Sequence, residues 1–226
     1  YTTIDDPGLF FNTVLYTGNS STPRNITGVG FQPDFVWIKD RSSAYSPIGS
    51  DVVRGANKRL SSSEVDAEIT DWVYGYTSAF ISDGFTLTTG GSGPETVNDD
   101  GDTYVAWNWK AGTSFTNDAS GFSIMSYTGT GSNATVAHGL GSTPSMVIVK
   151  KRSATSEWQV YHSAIGGTGA LQLNLTNATG TAIDYWNNTS PTSSVFSLGT
   201  GADVNGNTLT YIAYCFAPKQ GYSKFG

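Results

Sequence analysis

The sequence contains one cysteine, Cys215, so no disulfide bond can form within the chain. This excludes the small disulfide-stapled scaffolds that are typical of short secreted domains. Cys215 stands in the apolar run TYIAYCFAP, which indicates a buried thiol rather than a reactive one. Long apolar runs are also missing, since none approaches the roughly 20 residues that a membrane-spanning helix needs. We therefore expect no insertion into a membrane.

Charge is scarce as well, because Asp, Glu, Lys and Arg make up only 13% of the residues and give a net charge of −6. A negative protein repels a phosphate backbone, so we expect no nucleic-acid partner. Aromatic residues, in contrast, reach 13%, and glycine numbers 27. A disordered chain would be rich in charge and poor in aromatics. The composition therefore favours a folded all-β protein.

The most informative feature that is present is an internal repeat. The motif Tyr-Thr-Gly begins at Tyr16 and again at Tyr127, 111 positions later, and the same offset joins Lys39 to Lys150. Towards the end of each copy the offset falls to 107, where DTYVAWNWKA aligns with LTYIAYCFAP. A repeat of this length can bury its own core, so we interpret it as a tandem duplication of a domain rather than as a solenoid.

The repeat predicts the division of the chain. We expect a lead-in at 1–10, a first copy at 11–111 and a second copy at 121–218. A linker rich in Gly, Ser, Thr and Asn joins the copies at 112–120. The tail at 219–226 is similar to the start of a third copy. The tail suggests the hypothesis that the chain is a piece of a longer array.

The local patterns predict mostly strands. DFVWIKDR, SMVIVKKR, TYVAWNW and TYIAYCF are rich in β-branched and aromatic residues and are bounded by turn formers. The Asp-Gly and Asn-Gly steps in NDDGDTY and DVNGNTLTY are hairpin signals. The segment after Ser62 resembles a capping box and predicts one short helix or a turn. Together these patterns predict two tandem β-sandwich domains, jelly-roll-like in type.

An acidic turn is a candidate metal site. Asp99, Asp100 and Asp102 lie close together in the sequence, and calcium prefers several oxygen ligands. The complete twelve-residue calcium-binding loop is absent, so a plain hairpin turn is the alternative. No other cofactor is indicated.

Two basic pairs recur at strand ends, in the first copy and again in the second. Contact with an anionic sugar or phosphate is one interpretation, and a framework role, with the side-chain stems packed on neighbouring aromatics, is the other. We favour the framework role because the pairs occur in both copies. The residues are Lys39, Arg41, Lys150 and Arg152.

Aromatic residues cluster in regions where the copies differ. Rigid aromatic rings on loops can stack on sugars, although such residues are more often part of a core. The candidates for ligand binding are Trp72, Tyr74, Tyr76, Trp158, Tyr185 and Trp186. Trp107 and Trp109 share one face of a strand, which indicates a core or an interface.

Catalytic residues are not indicated. His138 and His162 are the only histidines, and neither accompanies a glycine-flanked nucleophile. Glycosidases need two facing carboxylates, and no carboxylate recurs between the copies. We therefore expect a protein without enzymatic activity.

Several motifs resemble a repeat family in virion proteins of tailed bacteriophages, chiefly marine and cyanobacterial phages. They include FFNTVLYTG, ITGVGFQPDFVWIKDR, VRGANKRL, TYVAWNWKAG, WNNTSPTSSVFSLG and YIAYCFAPKQGYSKFG, and the resemblance covers nearly the whole chain. Members of the family often carry several copies, sometimes beside concanavalin-like lectin domains. The resemblance carries over no catalytic or binding residue.

The resemblance implies a structural protein on the virion surface, in a tail fibre or a capsid decoration. Its partners would be other virion proteins and further copies of itself, with a trimer expected for a fibre. A module that binds host-surface carbohydrate is the first alternative, and a polysaccharide depolymerase domain is the second.

Overall fold

The computed structural model describes residues 4–111 and 119–226. Residues 1–3 of the expected lead-in and 112–118 of the expected linker lie outside the described residues. The chain divides into two compact units. The N-terminal unit consists of Asp6–Glu64 and Glu68–Lys110. The C-terminal unit contains residues 119–226 with residues 4, 5 and 111, and also the short segment Val65–Ala67.

The N-terminal unit is built from two antiparallel sheets with a core between them. Six strands form the first sheet in the order β1-β9-β3-β4-β5-β6, and three form the second in the order β2-β8-β7. The core includes Val36, Ile38, Phe85 and Leu87, all nearly inaccessible to solvent. The strands are β1 Phe11–Thr17, β2 Arg24–Thr27, β3 Phe35–Asp40, β4 Ile48–Asp51, β5 Lys58–Ser61, β6 Ile69–Thr70, β7 Tyr76–Ile81, β8 Gly84–Thr88 and β9 Thr103–Trp109, and a 3₁₀ turn, Pro7–Leu9, precedes them.

The C-terminal unit repeats this plan. Its six-stranded sheet has the order β10-β17-β12-β13-β14-β15, and β11 pairs with β16. The strands are β10 Phe122–Thr128, β11 Ala134–Ala137, β12 Met146–Lys151, β13 Gln159–His162, β14 Gly169–Gln172, β15 Gly180–Thr181, β16 Val195–Leu198 and β17 Thr210–Phe216. Two short helices are added, α1 Ile183–Trp186 and α2 Ala202–Asn205.

The two large sheets have equivalent strand orders and equivalent registers. Tyr16 lies opposite Tyr104 in the first, and Tyr127 lies opposite Tyr211 in the second. The prediction of an all-β sandwich is confirmed, and so are the four strands expected from their β-branched and aromatic content. Duplication remains our interpretation of the repeated sequence.

The repeated Tyr-Thr-Gly motif has a structural role. In the N-terminal unit the Tyr16 ring stacks on Tyr104 with 5.0 Å between centroids, and its hydroxyl donates to the Val97 carbonyl at 2.8 Å. A Cβ atom at Gly18 would lie 1.7 Å from the carbonyl oxygen of Asp99, so only glycine fits.

The second copy of the motif makes the same contacts. Tyr127 stacks on Tyr211 at 5.1 Å and donates to the Val204 carbonyl at 2.7 Å. A Cβ atom at Gly129 would lie 2.2 Å from the Gly206 carbonyl oxygen. Two loops are thus held together by one tyrosine and one glycine in each unit.

A buried asparagine completes each of these loop junctions. Asn98 accepts from the Asn19 amide and donates to the Ser21 carbonyl. Asn205 accepts from the Thr130 amide at 2.8 Å and donates to the Ser132 carbonyl. Both side chains are almost fully buried, so their hydrogen bonds are made in a low-dielectric environment where leaving them unmade is costly.

The hairpin expectation is wrong. The turns at NDDGDTY and DVNGNTLTY do precede β9 and β17, but these strands pair with β1 and β3, or with β10 and β12, and not with the strand before the turn. The chain instead crosses from the smaller sheet to the larger one at these points. A dipeptide signal reports the local turn and carries no information about the sheet that the next strand joins.

The segment after Ser62 forms a turn followed by extended chain, and the helices occur elsewhere. The tail, 219–226, contains an isolated β-bridge between Lys219 and Ser223. The ring centroids of Phe225 and Phe216 lie 6.1 Å apart. Within residues 4–111 and 119–226, no helix is long and apolar enough to cross a membrane.

Candidate functional site: an aromatic cleft on the N-terminal unit

Strand alternation places a row of aromatic side chains on one face of the N-terminal six-stranded sheet. Val36, Ile38 and Ala106 point into the core, so their neighbours Trp37 and Trp107 lie on the opposite face. There they border a cleft of about 430 Å³ with almost no polar surface. The cleft is lined by Phe11, Trp37, Lys39, Pro47, Trp107 and Trp109.

The rings of the cleft are in mutual contact. Trp37 meets Trp107 edge to face with 5.8 Å between centroids, and Trp109 lies 4.9 Å from Phe11 and 5.3 Å from Phe35. The Trp37 indole N–H donates to the Ser62 hydroxyl at 3.1 Å. Such packing fixes the ring orientations while Trp37, Trp107 and Trp109 all remain partly exposed.

Lys39 closes one side of the cleft and has a framework role. Its ammonium group donates to the carbonyls of Asp40, Ser43 and Tyr45 at 2.5, 3.1 and 2.8 Å. All three donors of the ammonium are used to hold the loop after β3, so the side chain is not free to bind an anion.

The corresponding face of the C-terminal unit is buried. Phe122, Tyr214 and Trp158 are exposed by only 2%, 2% and 4%. Lys150, the counterpart of Lys39, donates to the Ser156 carbonyl at 2.5 Å and to the Val65 carbonyl at 2.8 Å. Burial lowers the pKa of Lys150 to about 8, since desolvation penalises the charged form.

The recurring arginines are held through their backbones. The Arg41 amide donates to the Thr103 carbonyl at 2.7 Å, and the Arg152 amide donates to the Thr210 carbonyl at 2.8 Å. These equivalent bonds fasten the end of β3 and the end of β12 to the start of the neighbouring strand.

The structure brings two of the sequence-predicted aromatics together. Trp72 and Tyr74 are in edge-to-face contact at 5.6 Å, and Tyr76 begins β7 shortly after them. The Arg59 guanidinium lies 4.2 Å from the Trp72 ring centroid, so that face of the ring is already covered. Tyr74, exposed by 41%, is the most accessible of the three.

Two of the residues predicted to stack on sugars, Trp158 and Trp186, are buried, so this prediction is wrong for both. Trp186 is exposed by only 2% and packs edge to face on Tyr161 in the C-terminal core. Trp158 is also buried, with Tyr214 stacked 6.5 Å away. Neither ring presents a face to a ligand, because Trp186 belongs to the C-terminal core and Trp158 is buried on the outer face of the large sheet. Tyr185 is partly exposed, and burial together with nearby carboxylates raises its pKa.

The three carboxylates of the predicted calcium site do not converge in the structure. Asp99 accepts from the Asp100 amide, and Asp102 accepts from the Ser43 hydroxyl at 3.0 Å, so the carboxylates point to different partners. In the described part of the chain, no group of three or more His, Cys, Asp or Glu side chains could hold a metal ion. Sequence proximity in a turn does not make carboxylates converge.

Nothing in the sequence marks Phe11 and Trp37 as parts of a site. The available signal is the shared face of Trp107 and Trp109, which indicates an interface or a core but does not identify the neighbouring strands. His138 and Cys215 are buried, and burial lowers the pKa of His138 and raises that of Cys215 to about 12. Both are therefore structural, in agreement with the sequence interpretation of Cys215.

The fold and the cleft define an all-β protein of two sandwich units, one of which presents an open aromatic face. The chain belongs to the family described as Domain of unknown function (DUF7483), whose model matches residues 6–226. No curated protein and no solved structure matches the chain.

Proposed function

We propose that the chain is a non-enzymatic structural module of a phage particle surface, in a tail fibre or a capsid decoration, which assembles through its aromatic cleft. The phage assignment rests on the sequence motifs and their resemblance to virion proteins. The assembly role rests on the cleft, because clustered and partly exposed tryptophans mark interaction surfaces.

In the C-terminal unit, a chain segment lies against the equivalent outer face of the large sheet. There the carbonyl of Val65 accepts from the Ser156 amide at 2.9 Å and from the Lys150 ammonium. The counterpart of Ser156 in the N-terminal unit is Tyr45, whose amide has no acceptor among the described residues. The N-terminal face therefore has a vacant backbone donor beside an open cleft, where its counterpart receives a chain segment.

A matching segment is available in the C-terminal unit. Residues 173–179 correspond to 62–68, and the two segments leave their sheets identically: the Ser62 amide donates to the Pro47 carbonyl at 3.1 Å, and the Leu173 amide to the Trp158 carbonyl at 3.0 Å. Leu173 and Leu175 are each exposed by 40%, so two nearby leucines of this segment offer apolar surface to a partner.

The proposed contact is head to tail between two molecules. Residues 173–179 of one molecule lie over the cleft of the next, and the Thr176 carbonyl accepts from Tyr45. Because the two surfaces differ, this contact is heterologous and produces either a closed ring or a filament. A ring of three would agree with the trimer that is expected for a fibre.

Complementation of two association-deficient variants tests this proposal. Trp107→Thr removes the centre of the cleft but keeps a strand-forming residue. Leu173→Asp with Leu175→Asp replaces the two exposed leucines of the segment with carboxylates, which do not pack on an apolar cleft. Sedimentation should show concentration-dependent association of the unmodified chain and a monomer for each variant. An equimolar mixture should form a dimer, since each variant retains the surface that the other lacks.

The control is Ile183→Asp, which makes the same kind of apolar-to-Asp change once, at a residue that is 50% exposed outside the segment, and should leave association unchanged. A monomeric unmodified chain, or association that survives both variants, would overturn the assembly role. A monomer whose cleft binds host polysaccharide, with binding lost in Trp107→Thr, would favour the carbohydrate-binding alternative. Electron cryomicroscopy of particles tests the phage assignment separately.

A further inference from the structure

A second cavity lies at the edge of the C-terminal sheet, where β13, β14 and β15 are adjacent. It has a volume of about 290 Å³ and, unlike the aromatic cleft, its lining is mainly polar. Gln159 lines it and is fully buried, yet neither its amide oxygen nor its amide nitrogen has a hydrogen-bond partner among the described residues. An unpaired buried amide is costly, so this residue requires an explanation.

Comparison with the N-terminal unit explains how the cavity arises. Gln159 pairs with Gln172 where Ile48 pairs with Ser61, and Ala170 pairs with Gly180 where Arg59 pairs with Ile69. Two large side chains are thus replaced by Ala and Gly, which opens space.

At the base of that space, the apolar Ile48 is replaced by an amide. In the N-terminal unit the corresponding space is occupied by Arg59, which is buried beside Trp72 and donates to the Ser61 hydroxyl. A polar group of the protein therefore fills the site in one unit. In the other unit the site is open, and a polar group faces it without a partner.

We propose that this cavity binds one uncharged sugar ring of a glycan. Gln159, Gln172 and Asn177 offer amide donors and acceptors, Thr181 offers a hydroxyl, and Tyr185 offers a partly exposed ring at the border. No charged residue is among the described residues that line the cavity, so a neutral polyhydroxylated ligand fits better than an anion. The volume is at the small end of ligand pockets, which suits one ring rather than an extended chain.

Protein-observed NMR with neutral monosaccharides tests the site. The probes are glucose, galactose, mannose and N-acetylglucosamine, each titrated into the millimolar range. The readout is the side-chain amide resonances of Gln159, Gln172 and Asn177, of which the last two are present in every variant. At least one sugar should shift these resonances in a saturable manner. Gln159→Ile and Gly180→Ile, which restore the N-terminal residues, should each weaken binding by about tenfold or more.

Both variants should fold. Isoleucine is the residue at the equivalent position of the other unit, and a Cβ atom at Gly180 meets only the Ala170 carbonyl oxygen, at 4.0 Å. The matched control is Gln32→Ile, the same change at an exposed position, which should leave binding unaltered. The proposal is overturned if no sugar shifts the Gln159 resonance, as for a cavity that holds only water, or if the shifts of the Gln172 and Asn177 amides persist unchanged in both variants.

Discussion

The two units share a framework and differ at two places where the framework meets solvent. Both hold their loops with a stacked tyrosine pair, a glycine and a buried asparagine. On the outer face of the large sheet, however, the N-terminal unit is open and aromatic, while the C-terminal unit is covered. At the edge of the large sheet the relation reverses. The Arg59 side chain fills the space there in the N-terminal unit, and the C-terminal unit has a cavity at the equivalent place. Repetition thus identifies framework residues, and divergence identifies candidate sites.

A buried ion pair sharpens this contrast. The side chains of Arg54 and Asp51 are fully buried, with 2.5 Å between Arg54 Nε and Asp51 Oδ2. Arg54 Nη1 also lies 3.5 Å from Glu68 Oε2. The C-terminal unit has Ile165 and His162 at the positions of Arg54 and Asp51. The charge network at the end of β4 is therefore a feature of the N-terminal unit alone.

The largest effect is expected at the shared glycines. Gly18→Ala and Gly129→Ala should each lower the free energy of unfolding by about 4 kcal/mol or more, because the new Cβ atom would overlap a backbone carbonyl. Chemical denaturation of both variants measures the effect. Gly91→Ala is the control, since no atom lies within 4 Å of the Cβ position there. Equal stability of all three variants would mean that the motif does not fix the loops.

A smaller effect, confined to one unit, is expected at the ion pair. Asp51→Ala should cost about 3 kcal/mol of unfolding free energy, because it leaves the buried Arg54 without its nearest counter-charge. His162→Ala, at the equivalent position of the other unit, should cost much less because His162 is partly exposed. Thermal unfolding of the two variants compares them. Similar losses for both would show that the charge network is not what distinguishes the units.

The smallest effect is a pH dependence caused by Lys150. Its pKa is lowered to about 8 in the folded protein, against an ordinary value of 10.5, so between these values the unfolded chain binds more protons. The free energy of unfolding should therefore rise from about pH 8 towards pH 10. Burial raises the pKa of Tyr16 and Tyr127, so their ionisation on unfolding opposes the rise above pH 10. Denaturation at several pH values should show the rise in the parent and its absence in Lys150→Met.

The fold could be predicted because its signals are local or repeated. The composition of the strands and the offset between Tyr16 and Tyr127 are enough to predict two sandwich domains. The apolar run around Cys215 is enough to predict that this residue is buried. The pairing partner of each strand is not a local property, which is why the hairpin expectation at β9 and β17 was wrong. The burial of Trp158 and Trp186 likewise depends on which face of the C-terminal fold they join.

The candidate sites were only partly predictable. The shared face of Trp107 and Trp109 indicates a surface, but Phe11 and Trp37 join it through strand pairing that the sequence does not display. Gln159 is recognisable only by comparison with Ile48 at the same place in the other copy. Alignment of the two halves is therefore more informative about sites than the composition of either half.

Amide hydrogen exchange at Tyr45 and Ser156 tests the central claim most directly. The claim is that the open face of the N-terminal unit receives the kind of chain segment that the corresponding C-terminal position already has. The Ser156 amide, bonded to the Val65 carbonyl, should be protected at every protein concentration. The Tyr45 amide should exchange rapidly in dilute protein and become protected as the concentration rises. Rapid exchange of Tyr45 at all concentrations, in a chain that nevertheless associates, would contradict the account.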